Sequence, residues 1–221
     1  NGTFDGNGKT ISGLYIRTNN AYSGLFGGVG KTGVVKNVTI VNACILGDDY
    51  LGCVAGVNKG TVENCSFDGY IEGNERIGGV AGENYGTVKT CMVSGMVSGY
   101  NRVGGVVGRN EGTTEYCGST AKISGFGSFV GGVVGYLYSG KVSHSYATGT
   151  ITGINYTGGV TGYSTGVVED CCYLTGIAQT GIGNTVTDTQ KITCSMSQEA
   201  FASGQVTYLL NGGKTDETAL W

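Results

Sequence analysis

The residues with the most chemical promise stand beside glycines. Gly27-Gly-Val-Gly-Lys31-Thr32 matches the end of a phosphate-binding loop, in which backbone N–H groups and a lysine cradle phosphate. The full pattern needs a glycine five residues before Gly30, where Leu25 stands, and the form with lysine ahead of the glycine pair meets Phe26. No helical pattern follows Thr32, and the same register recurs without lysine as GGVAG, GGVVG and GGVTG. The motif therefore reads as structural. Asp5-Gly-Asn-Gly-Lys-Thr10 opens like a calcium loop, which needs oxygen ligands at alternate positions. Its third such position is the cation Lys9 and its twelfth is Ile16 rather than glutamate, so a tight turn is expected.

Cysteine, histidine and carboxylate chemistry fare no better. Zinc needs four converging ligands, often as CxxC pairs. Cys65, Cys91 and Cys117 recur once per repeat and so fall on a line, which predicts a buried stack of free thiols acting as small apolar residues. Stacked neighbours lie close enough for a disulfide, but parallel Cβ vectors oppose its torsion. One of the vicinal pair Cys171-Cys172 should point outward; Cys44, Cys53 and Cys194 have no assigned place. His144 is the one histidine, it stands where other repeats carry Asn64 or Thr90, and there is no HExxH. The sixteen carboxylates are scattered. No catalytic residue, cofactor site or metal site is expected, and the chain reads as non-enzymatic.

Aromatic residues are different, because they collect at turns: Tyr85, Tyr100, Phe126, Phe129, Tyr136, Tyr138, Tyr156 and Tyr163. Exposed aromatic rows can stack on sugars or anchor a protein. Tyr85, Tyr100, Tyr136, Tyr138 and Tyr163 are the candidate ligand contacts.

What must position these residues is a repeat. The chain has 221 residues, 44 glycines and no proline, against usual shares of ~7% and ~5%. Proline removes a ladder donor, so its absence suits a chain made of paired strands. The glycine ending each G-G-V-x-G run recurs at Gly27, Gly56, Gly82, Gly108, Gly135 and Gly162, spaced 29, 26, 26, 27 and 27. Each unit holds three β-like stretches: the G-G-V-x-G run, a segment such as T-V-E-N-C, and Gly-Tyr-Ile-Glu-Gly closed by a polar tip, Asn74-Glu75-Arg76. One unit cannot bury an apolar face alone, but stacked units can. The expectation is an all-β parallel solenoid of 26–27-residue coils, right-handed by the general preference of parallel crossovers. Residues before Gly24 should supply a further coil.

Columns support the stacking. Val35, Val62, Val88, Thr114, Val142 and Val168 form one inward ladder. Val38, Cys65, Cys91, Cys117, Ser145 and Cys171 form a second, and Ile71, Val97, Ile123 and Ile151 a third. Lys36, Glu63, Lys89 and Glu115 alternate in sign, as an outward face of paired neighbours would. The solenoid is expected over 1–174, and a loop with a short helical segment over 175–221 as its cap. That helix should start at Ser197-Gln-Glu-Ala-Phe201, continue through Val206–Leu210 to Gly212-Gly213, and be followed by Trp221.

Gly24-Leu-Phe-Gly27, preceded by Gly2-Thr-Phe-Asp-Gly-Asn-Gly-Lys-Thr-Ile-Ser-Gly-Leu14 and followed by G-G-V-x-G units with Gly-x-Val-x-Asn-Cys, resembles the GLUG-motif repeat proteins. The likeness runs from Gly2 to about Tyr173, and Phe201–Asn211 resembles the closing segment of such proteins. Later units lack the Leu-Phe pair. The resemblance implies a bacterial cell-surface or secreted protein, often adhesin-like, with kinship to non-catalytic regions of metallopeptidases that cleave immunoglobulin A; it brings no catalytic residues. The reading is a non-catalytic stalk or adhesive segment, a monomeric piece of a longer extracellular chain. The alternatives are an accessory substrate-binding region of a secreted peptidase and a β-helix polysaccharide-active enzyme. A net charge of −3 gives no footprint for nucleic acid, and no apolar run is long enough to span a membrane. Host glycan or host protein is the expected class of partner.

Overall fold

A computed structural model describes residues 2–185 and 191–211. The chain winds into a parallel β-solenoid of about seven coils with a spacing near 26 residues. Three sheets run along it: a long sheet of 14 strands and short sheets of 5 and 7. The third coil shows the pattern, with Thr61–Glu72 in the long sheet, Glu75–Gly78 in the first short sheet and Ala81–Asn84 in the second. Pairings Phe26↔Ala55, Ala55↔Ala81, Ala81↔Val107, Val107↔Val134 and Val134↔Thr161 place all six glycine anchors in one column. The first coil is supplied by Gly2–Ser12, which pairs with Gly33–Leu46. Thr161↔Ile182 adds the seventh.

The division within a coil differs from the expected one. The G-G-V-x-G run is a corner between two strands: Glu75–Gly78 ends at the first glycine and Ala81–Asn84 begins after Gly79-Val80. The polar tip Glu75-Arg76 is strand, and the other two stretches merge into one long strand in the third coil. Glycine explains the corner. A Cβ on Gly104 would lie 2.0 Å from the Val107 carbonyl oxygen, and one on Gly108 would lie 2.5 Å from the Arg76 backbone. The two short sheets therefore touch backbone to backbone there.

All three inward ladders hold in register and are buried except at the final Ile151. The outward charge column also holds, Asp5↔Lys36↔Glu63↔Lys89↔Glu115, with Lys89 2.9 Å from Glu63 and Lys36 3.6 Å from Asp5. A further buried ladder is polar. Asn58 donates to Asn84 (2.8 Å), Asn84 donates to Asn110 (2.7 Å), and each also bonds the backbone of its own turn. This satisfies buried amides that would otherwise be costly. The ladder ends at Leu137, where the following turn is one residue longer.

Strands Ile182–Thr185 and Lys191–Met196 carry the ladder past Leu174, into the part read from sequence as a loop. Helices Gln198–Ala202 and Gln205–Leu210 follow, the first with Ser197 as N-cap accepting from the Ala200 N–H. Ala200, Val206 and Leu210 pack with Tyr146 and Cys172, separately from the main core. The adjacent Cys171 and Ala147 belong to that core, and strand side chains alternate, so the helices lie on the outer face of the long sheet. Gly212, Gly213 and Trp221 fall outside the described residues.

Candidate binding surface

The sites tested in the sequence resolve into structure. Lys31 lies within a turn closed by Gly33 N–H to Gly30 C=O (2.8 Å), with strand rather than helix after it. Asp5 accepts from the Asn7 N–H (2.8 Å) and from the Asn37 amide (3.0 Å). Those hydrogen bonds, with Lys36, hold its carboxyl below the usual range. His144 occupies a left-handed corner shared by Asn37, Asn64, Thr90, Tyr116 and Asp170 (φ 48–55°). It stacks on Tyr116 at 4.8 Å and lies 3.6 Å from Asp170.

Cys65, Cys91 and Cys117 are buried, and each thiol donates to the carbonyl two residues back at 3.2 Å. The Cys91 neighbour and burial push the Cys65 thiol up; burial pushes Cys91 up and raises Cys171 to about 12. Cys171 points inward and Cys172 outward, where Cys172 is disulfide-bonded to Cys194 in the next coil, Cα–Cα 4.7 Å. Sequence reasoning disfavoured a bond between stacked cysteines and left Cys194 unplaced; the structure forms one at the outward position, while the three column thiols stay free. Among the described residues, no three His, Cys, Asp or Glu side chains are grouped to hold a metal, and no helix is long and apolar enough to cross a membrane.

The aromatic residues come together more closely than their spacing suggested. A second left-handed column, in the first short sheet and the bend stacked beside its Asp49–Gly52 strand, holds Tyr22, Tyr50, Arg76, Arg102, Phe129 and Tyr156 (φ 52–67°). Bulky residues rarely adopt this conformation. Here it turns them outward: Tyr22 stacks on Tyr50 at 4.4 Å, Arg76 covers Tyr50 at 4.5 Å, and Phe129 stacks on Tyr156 at 5.4 Å. Across the corner, Tyr136 stacks on Phe129 at 5.1 Å. Tyr163 meets Phe129, Tyr136 and Tyr156 edge-on, and Tyr138 meets Tyr136 likewise. Arg102 lies over Phe129 and Tyr136, and Arg109 over Tyr138. Burial, then the neighbouring Tyr163, push the Tyr136 hydroxyl above its ordinary value.

Of the five candidate contacts, Tyr136, Tyr138 and Tyr163 join this cluster. Tyr85 stands in the turn column of Tyr138, two coils away, beside Lys59. Tyr100 lies at the far end of the first short sheet's face. Phe129, Tyr156, Arg102 and Arg109 were missed as contacts. The available signal was the large residue before each V-G-G or T-G-G: Arg102, Phe129, Tyr156.

The GLUG motif family matches residues 99–124 and 127–152, the coils that carry most of this cluster. Those two coils carry the GLUG motif. A 71-residue stretch of the chain is 45% identical to halomucin of Haloquadratum walsbyi, covering 32% of this chain and 1% of that protein. A 71-residue stretch is 35% identical to a "Putative Gly-rich membrane protein" of Evansella cellulosilytica, covering 30% of this chain and 8% of that one. The chain thus spans a small fraction of these relatives. The solenoid superposes on the crystal structure of a "putative immunoglobulin A1 protease" from Bacteroides ovatus with TM-score 0.75, over 98% of this chain and 75% of that one, at 21% identity. That likeness is one of fold.

Proposed function

We propose that this chain is a non-catalytic repeat module of a surface or secreted protein, serving as a stalk or adhesive segment with the helices covering its final coils. The observation that carries the reading is how completely the coil absorbs its reactive groups. Cys65, Cys91, Cys117 and Cys171 are column residues, the histidine is a corner residue, and Glu75, Glu83 and Glu111 are each tied to arginine. The Cys172–Cys194 disulfide supports an oxidising compartment, as do relatives described as a halomucin and a membrane protein. The fold likeness to a protein described as a protease favours the accessory-region reading as the second choice.

A stalk tolerates a change of length. Excising Gly78–Val103, one coil, should leave a folded rod shorter by about 4.8 Å, seen as unchanged far-UV dichroism per residue and a smaller scattering dimension. In the parent cells, an antibody to the module should label the surface or the medium. Collapse of the excised chain, cytoplasmic labelling, or turnover of peptide or polysaccharide substrates would each refute the reading.

A further inference from the structure

The outer surface is not uniform around the coil. The long sheet carries the ion-pair column, whereas the short sheets of the fourth to sixth coils carry rings. At one margin stand Tyr100, Phe126 and Ile154, each two residues after a paired position (Ser98↔Ser124↔Thr152) and 52%, 61% and 69% exposed. Next come Phe129 and Tyr156, then Tyr136 and Tyr163 across the corner, then Tyr138. We propose that this face is a docking surface for a neutral glycan chain, a partner that rests on the adhesive reading above.

Three observations select that occupant. The first is size. Three coils extend about 10 Å along the axis, and the arc of strand around the corner gives a face on the order of 300 Å². A stable protein partner needs about 800 Å²; a linear sugar chain needs only a narrow track. The second is charge. Arg76, Arg102 and Arg109 are balanced by Glu75, Glu83 and Glu111. Three positive and three negative groups sum to zero, so the face offers no field for a polyanion. The third is chemistry. Ring faces attract the C–H edges of a pyranose through their quadrupole, while five tyrosine hydroxyls and the Arg–Glu pairs offer donors and acceptors to sugar hydroxyls. The strained left-handed column holds Phe129 and Tyr156 outward in preference to ordinary backbone.

The test is an array of neutral and acidic oligosaccharides probed with the 221-residue chain, followed by calorimetric titration of the best binders. Neutral oligosaccharides should bind, with affinity unchanged by added salt. Tyr138→Ala and Tyr156→Ala should each weaken binding roughly two- to tenfold, and Tyr15→Ala, exposed on the first coil, should not. Should a variant unfold, ligand-induced chemical shifts in the unaltered chain must fall on these rings. Absence of neutral-glycan binding, salt-sensitive binding of acidic sugars alone, capture of a peptide instead, or insensitivity to both tyrosine changes would overturn the proposal. Any of these, with surface labelling and coil excision behaving as above, would leave the stalk reading standing.

Discussion

Replacing Asn84 with alanine tests the inner polar ladder. Its side chain accepts from Asn58 (2.8 Å) and from the Gly86 N–H (3.2 Å), and donates to Asn110 (2.7 Å), Thr113 C=O (3.1 Å) and Gly86 C=O (3.2 Å). Asn84→Ala leaves the Gly86 N–H without that acceptor, at about 1–3 kcal/mol, and removes two inter-coil amide bonds at about 1 kcal/mol each. The expected loss is ~3–5 kcal/mol, a large share of the ~5–15 kcal/mol of a typical domain. Asn84→Leu, copying Leu137 in the same column, should not rescue it, because the short turn after Asn84 still needs a side-chain acceptor. Urea unfolding by dichroism gives the values. Asn84→Ala combined with Asn110→Ala should fall short of additivity by about 1 kcal/mol, since the two changes share one bond. A loss under about 0.5 kcal/mol, or strict additivity, would show that the ladder is incidental and that turn geometry alone holds the coil.

Four further outcomes are expected. Cys172→Ser, or reduction, opens a 22-residue loop and should cost about 3 kcal/mol, read as faster amide exchange from Val167 to Met196 with little change in the middle coils. Cys65, Cys91 and Cys117 should resist maleimide in the native chain and react on unfolding, whereas half-buried Cys44 reacts first. The raised folded pKa values of Cys65 and Cys91 mean that stability is full below the unfolded thiol value near 8.5 and falls as pH rises above it, because these thiols ionise first in the unfolded chain; urea midpoints from pH 7 to 10 check the sign. Lys89→Ala removes an exposed pair with Glu63 and should cost no more than about 1 kcal/mol, shrinking further in salt.

The sequence displayed the stacking direction well and the bending within a coil poorly. Register was legible because like residues stack on like: Val62 on Val88, Cys65 on Cys91, Ile71 on Val97. A column needs only a period, and glycine anchors supply it. Where each coil turns was not legible. Left-handed corners are occupied by Asn64, Thr90 and His144 in one column and Arg76 and Phe129 in another, so no residue type marks them. The aromatic surface was half visible for the same reason. Tyr136, Tyr138 and Tyr163 were singled out as contacts, but Phe129 and Tyr156, read only as turn aromatics, join them through a left-handed backbone that residue type does not announce. The disulfide was hidden because Cys194 lies beyond the recognisable repeats, and only the added strand Lys191–Met196 brings it beside Cys172.

The alternating column from Asp5 to Glu115 has a role in assembly beyond its small contribution to stability. Coils of similar sequence invite a particular mistake, in which one coil is looped out and the next but one takes its place. The glycine anchors and valine columns barely distinguish the two arrangements. The charges do: omitting one coil would set Lys36 against Lys89, or Glu63 against Glu115, and like charges directly opposite are unfavourable. Sign alternation thus works as a parity check on winding, which biases the chain against skipping a single coil by a margin too small to unfold a rod from which one coil has been excised.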